Sequence, residues 1–150
     1  MLFRSTPAYG PRIMERYRRG FVPSSTCSSP QGAVAVSVVC AAADEEAEAL
    51  ATSQAVWRLR PEGERGPVPS PQEASAAARD LDPVTRARMA QDRGRVVVGE
   101  PGRVRDEVLS MAEDLDVDEV LVVTVCHDQA ARRRSYELLA GAFELEAPPG

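Results

Sequence analysis

Val120-Leu121-Val122-Val123-Thr124-Val125 is an apolar, mostly β-branched run that ends in Cys126-His127-Asp128, and a helical pattern opens at once over 129–143. That succession reads as a buried strand feeding a helix. A second unit of the same kind lies upstream, where residues 32–43 meet a helix that starts at Asp44. Strands that are apolar on both faces need cover on both faces, and two of them cannot hold a parallel sheet alone. The expected class is therefore α/β, with the chain as the tail of a larger α/β barrel.

The chain has 150 residues, enough for one ordinary domain. Hydrophobic residues make up 43% and charged residues 27%, the balance of a globular chain rather than a disordered one. The net charge of −5 argues against a nucleic-acid partner, because phosphate affinity comes mainly from cationic neutralisation. No apolar run approaches the roughly 20 residues that span a bilayer, so no membrane partner is expected. The N-terminus lacks the apolar core of a signal peptide. Cys27, Cys40 and Cys126 are too few and too scattered for a disulfide framework, and a cytoplasmic location is the default. All 18 basic residues are arginine. Schiff-base, pyridoxal-phosphate and P-loop chemistry, each of which needs a lysine, are excluded for these residues.

Along the chain, residues 7–19 read as the end of a helix, with Ile13, Met14 and Tyr17 on one face and Gly20 as its stop. Residues 21–31 are a loop. Residues 33–42 form the first strong strand, and Asp44 is expected to cap the next helix, with Glu45 and Glu46 at its positive end. Ala47, Leu50, Ala51 and Trp57 share a face of that helix, which Pro61 ends. The Pro- and Gly-rich stretch 61–71 is an exposed connection. Residues 72–78 and 83–91 read as two short helices. Val96-Val97-Val98 is a short apolar segment before a helix carrying Val104, Val108, Met111, Ala112 and Leu115. An acidic loop, 114–118, leads to the second strong strand. Asp128 is expected to cap the last helix, whose apolar face is Tyr136, Leu139, Ala140 and Phe143. Leu2-Phe3-Arg4-Ser5 is what one widely used sequencing adapter encodes in one frame. Residues 1–5 are therefore expected to be an assembly artefact, with the gene extending upstream, and 144–150 to be a disordered tail.

His127 is the sole histidine and sits where a parallel strand gives way to its helix, the edge at which α/β active sites are built. Imidazole there can bind a ligand or move protons. Without a partner histidine or a nucleophile motif, the expected role is a hydrogen bond within the loop. Consecutive strand residues point to opposite sides, so Cys126-His127-Asp128 is not a chelating set, and no metal site is expected. Cys40 and Cys126 read as small core residues. Gly99-Glu100-Pro101-Gly102-Arg103 lacks dinucleotide-fingerprint spacing; a turn and a helix start are expected rather than a phosphate site. The clusters Arg132-Arg133-Arg134 and Arg12, Arg16, Arg18 and Arg19 are expected on solvent or beside acids such as Glu137.

Several segments, in order, resemble one family. Tyr17-Arg18-Arg19-Gly20-Phe21-Val22-Pro23-Ser24 resembles a "YRxxFxPS" segment of bacterial-luciferase-like flavin-dependent monooxygenases. The strand ending at Ala43-Asp44-Glu45-Glu46-Ala47 resembles their seventh barrel strand and its helix. Val98-Gly99-Glu100-Pro101-Gly102-Arg103-Val104 is similar to their "VGxPxxV" helix start, and 118–124 to their eighth strand. His127-Asp128, Arg132 and Ser135-Tyr136-Glu137-Leu138-Leu139-Ala140 resemble the closing helix of one branch. The match covers residues 7–143.

The resemblance implies the C-terminal portion of a (β/α)8 TIM barrel: its last two β/α units plus a helical insertion, spanning 6–143 and incomplete as a separate chain. It implies an enzyme that uses reduced FMN, or a deazaflavin, and O2 to oxidise a small organic substrate. A flavin reductase would supply the cofactor, and dimers are common in such proteins. A family member is about twice this length, so most flavin and substrate contacts and the catalytic residues would lie outside this segment, which alone would be inactive. Thr124 and His127 match positions at the active face of the last strand and are candidate pocket-rim residues for cofactor binding. Two other functions fit the same residues: a self-folding α/β binding or regulatory module, and a flavin-binding relative without catalysis.

Overall fold

The computed structural model describes residues 10–146. The assembly artefact expected at 1–5, the helix start at Pro7 and the tail end 147–150 lie outside the described residues. Helix α1 spans Gly10–Arg19, strand β1 Ala33–Cys40 and helix α2 Asp44–Leu59. A short 3-10 turn, Glu62–Glu64, precedes helices α3 (Pro71–Arg79) and α4 (Pro83–Arg93). Strand β2 (Val96–Gly99), helix α5 (Pro101–Leu115), strand β3 (Glu119–Val123) and helix α6 (Gln129–Ala142) complete the order.

The strands form one parallel sheet in the order β2-β1-β3. Three strand–helix units are therefore present where two were expected, because Val96-Val97-Val98 is a strand in its own right. It pairs Ser37–Cys40 of β1, while β3 pairs Ala33–Ser37 on the other edge. The chain moves from β1 to one edge, then crosses back to the other. Right-handed crossovers in opposite directions place their helices on opposite faces. Val39, Val96 and Val98 accordingly pack on Ala47, Leu50 and Ala51 of α2. Val34, Val36, Val38 and Val97 pack on Val104, Val108 and Leu115 of α5 and Leu139 of α6. The α/β class stands; the strands close no barrel among the described residues. Helices α3 and α4 lie against α2, not against the sheet. That second layer accompanies the burial of Ser53, Ala55 and Val56 beyond the face expected of α2, while Gln54 is buried on the sheet side, its Nε2 donating to Ser37 Oγ at 2.9 Å.

Register between β1 and β3 is fixed at their shared amino end. Asp118 Oδ2 accepts the Gly32 N–H at 2.9 Å, and the Asp118 N–H donates back to the Gly32 carbonyl at 2.9 Å. A Cβ on Gly32 would displace Met14 Cε, the far end of a flexible side chain, and stand 3.3 Å from Val117 Cγ1, so the junction is tight. At the far end, Glu144 takes a left-handed φ of 53° and the Leu145 N–H reaches Ala140 O at 2.9 Å, a Schellman stop for α6. Of the expected tail, Glu144 and Leu145 form that stop.

β3 departs most from expectation. It is only partly covered: Leu121 is 38% exposed and Val123 48% exposed, both on the face opposite α5 and α6. No helix of the described residues is long and apolar enough to cross a membrane.

Candidate functional site at the carboxyl edge

Parallel strands direct their carboxyl ends to one edge, and here that edge gathers 41–44, 99–103 and 124–128. Asp44 does not cap its own helix. Ala43 holds the N-cap position, and the Asp44 carboxylate accepts the Glu100 N–H at 3.1 Å and pairs with Arg103 at 3.7 Å. It ties the starts of α2 and α5 together. Gly99 serves that contact: its φ is +155°, and a Cβ there would stand 3.0 Å from Asp44 Oδ1. Pro101 in the first turn makes this segment the helix start that was expected.

Asp128 caps α6, its Oδ2 accepting the Ala131 N–H at 2.9 Å. Two hydroxyls of α6 reach back to the strand ends. Ser135, fully buried, accepts the Cys40 N–H at 2.9 Å. Tyr136 accepts the Thr124 N–H at 3.0 Å, with the Arg132 guanidinium 5.9 Å from its ring centroid. Burial pushes the Tyr136 phenol up, but the Thr124 N–H and Arg132 together outweigh it and hold the group below the ordinary tyrosine range. Periodicity placed Tyr136 on an apolar face, and nothing in the local sequence signals that its oxygen turns to β3.

The two rim candidates come out differently. Thr124 is 2% exposed, with its hydroxyl buried and unpartnered. His127 is exposed, and its Nδ1 lies 2.7 Å from the Val68 carbonyl, strapping the 61–71 connection to the β3–α6 loop. They share a loop and differ in exposure. Burial pushes the Cys40 thiol up to about 11 and also raises Cys126, so neither is a poised nucleophile. No group of three or more His, Cys, Asp or Glu among the described residues is arranged to hold a metal. Glu137 pairs with Arg133 and Arg134, as expected for a solvated helix face.

The edge does not fit a flavin phosphate. Helix N-termini attract anions, but each one here already carries carboxylates: Asp44, Glu45 and Glu46 on α2, Glu100 at α5, and Asp128 at α6. A phosphate at any of them would meet negative charge. The buried Thr124 hydroxyl and the Tyr136–Arg132 pair remain as polar groups that an uncharged part of a ligand could use.

No family model matches the chain. It is 36% identical over 141 residues to the Bacillus subtilis (strain 168) protein named "Uncharacterized protein YceB", covering 91% of this chain and 41% of that one. It is 31% identical over 133 residues to an Escherichia coli (strain K12) protein named "Luciferase-like monooxygenase", covering 85% of this chain and 38% of that one. The crystal structure of apo-MsnO8 superposes with a TM-score of 0.83 at 34% identity, over 98% of this chain and 45% of that one. The chain spans about two fifths of the length of the curated relatives it matches. Over nearly its whole length it is similar to part of a luciferase-like monooxygenase.

Proposed function

We propose that this chain is a portion of a luciferase-like, flavin-dependent oxidoreductase, and that it supplies the last strands and outer helices of the catalytic domain. The observation that carries this reading is a pairing of two facts. The chain matches about two fifths of its relatives, and β3 leaves Leu121 and Val123 uncovered on one face. Consecutive barrel strands lie side by side, as β1 and β3 do. In this reading they are the seventh and eighth strands of a (β/α)8 barrel with α5 and α6 as its outer layer; Leu121 and Val123 lie on the face that α2 covers over β1 and β2, so α2 must leave that face when the barrel closes. β2, with α3 and α4, is an insertion between them. Reduced FMN or a deazaflavin would lie at the carboxyl edge with its phosphate held by residues outside this chain. The longer protein would oxidise a small organic substrate with O2, receive its flavin from a reductase, and act in the cytoplasm, where dimers are expected.

A chimera tests this. The described segment replaces the matching segment of the E. coli relative, and the product is assayed for reduced-FMN binding and for oxygen uptake with a flavin reductase. Retained binding and uptake are expected. A folded chimera that binds no flavin contradicts the reading.

One observation favours a second function, a self-folding α/β binding module. The order β2-β1-β3 with helices on both faces is that of an open doubly wound sheet, which needs no barrel around it. Cooperative unfolding of the 150-residue chain, with no tendency to associate through β3, would support this function over the first.

A further inference from the structure

Strand β3 leaves the ladder before β1 ends. Its last pair is Val123 with Ser37, while β1 runs on to Cys40. Residues of a parallel strand send their backbone groups to alternate sides. The Ala41 N–H goes to Gly99 O of β2 at 3.2 Å, so the Cys40 N–H points to the side that β3 has left. Cys40 is buried, and a buried N–H needs an acceptor. The Ser135 hydroxyl, fully buried, fills that place at 2.9 Å. The next residue of α6, Tyr136, takes the N–H of Thr124, the first residue past β3, at 3.0 Å. Neighbouring side chains of one helix thus hold the diverging ends of two neighbouring strands. Val122 packs in the α5–α6 cluster, and Cys126 packs on the opposite face with Val39 and Ala41. Between them the chain crosses over the end of β1. What the two hydroxyls fix is therefore the path of 124–128 along the carboxyl edge.

We propose that Ser135 and Tyr136 are positioning residues. As a two-point clamp they set the splay between the carboxyl ends of β1 and β3, and with it the placement of 124–128 against a ligand at that edge. This rests on the reading above, in which the ligand is reduced FMN approached through its uncharged part. The crevice outside the carboxyl ends of parallel strands is where α/β sheets hold ligands. A site loses affinity when its support shifts by about 1 Å, although the supporting group touches no ligand. The clamp differs in kind from the Asp128 cap. Asp128 acts within the loop itself, whereas Ser135 and Tyr136 lie about two turns further along α6 and reach back to the strands. Arg132, one turn before Tyr136, keeps its guanidinium 5.9 Å from the ring centroid and restricts the swing of the ring. Both clamp contacts are made wholly among the described residues.

The test joins amide exchange in the 150-residue chain with kinetics in the chimera with the E. coli relative. Ser135→Ala and Tyr136→Phe each remove one hydroxyl, and circular dichroism checks that both variants fold. In the chain, each variant should speed exchange by about tenfold at the strand end that the other hydroxyl holds: Thr124 in the first, Cys40 in the second. The amides of β2 should change less. In the chimera, each should raise the KM for reduced FMN in oxygen uptake by about tenfold, with kcat within about twofold of the parent. Lost stability alone lowers the folded fraction, and so kcat, and leaves KM where it was. Unchanged exchange at the opposite strand end in both variants, or a parent-like KM with a lowered kcat, overturns the inference. A parent chimera that binds no flavin overturns the reading on which it rests, and the inference with it.

Discussion

The two flanks of β1 are written in similar residues and end in opposite environments. Val96-Val97-Val98-Gly99 on one side is buried at every position. Glu119-Val120-Leu121-Val122-Val123 on the other alternates, and every second residue meets solvent. Residue type does not separate them; cover does. α2 lies over β1 and β2 on the face where, among the described residues, β3 carries exposed Leu121 and Val123. A strand that carries Leu and Val on a bare face is either an interaction surface or the exposed edge of something larger.

Four substitutions sharpen or break that contrast. The largest effect is expected at Leu139, which fills the core beneath β1. Leu139→Ala should cost about 2–5 kcal/mol in denaturant unfolding, because the cavity left cannot collapse. Ser135→Ala comes next, at about 1–3 kcal/mol, since it strands the buried Cys40 N–H. Tyr136→Phe should cost about 0.5–1.5 kcal/mol at neutral pH through loss of the Thr124 contact. It also changes the alkaline behaviour. The folded-state phenol ionises more readily than the unfolded one, so it adds stability above the ordinary tyrosine pKa of about 10 and loses it as pH falls through the folded value. The parent chain should therefore gain on Tyr136→Phe as pH rises through the folded value toward about 10; parallel pH profiles would show that Tyr136 is not held in this way. The smallest effect belongs to β3. Leu121→Thr should change stability by no more than about 0.5 kcal/mol, as at an uncovered surface site. A loss comparable to that of Leu139→Ala would mean that the face is already covered.

The same contrast explains how far the sequence could be read. β1, α2, α5 and α6 carry long, consistent patterns and were legible, as was the Asp128 cap. β2 is three valines and a glycine, too short for periodicity to separate a strand from a buried turn. Asp44 has the residue type and position of a helix cap, yet its carboxylate serves Glu100, 56 positions away in sequence. The Asp118–Gly32 staple and the Tyr136–Thr124 contact are likewise tertiary, and no local pattern encodes them. The burial expected of β3 from its residues is not met: every second residue of the strand meets solvent, because no described element covers that face. At the carboxyl edge, Thr124 and His127 both lie in the loop after β3, and their opposite burial depends on how α6 and the 61–71 strap pack.

Native-state hydrogen exchange tests most directly whether β3 is made for a partner face. The amides of Val120–Val123 that pair with β1 are followed in the 150-residue chain and in the chimera with the E. coli relative. A luciferase-like origin predicts fast exchange through local opening in the chain alone, slower by about 100-fold in the chimera, while the β1 amides stay protected in both. Equal, full protection of β3 in the two proteins would contradict it.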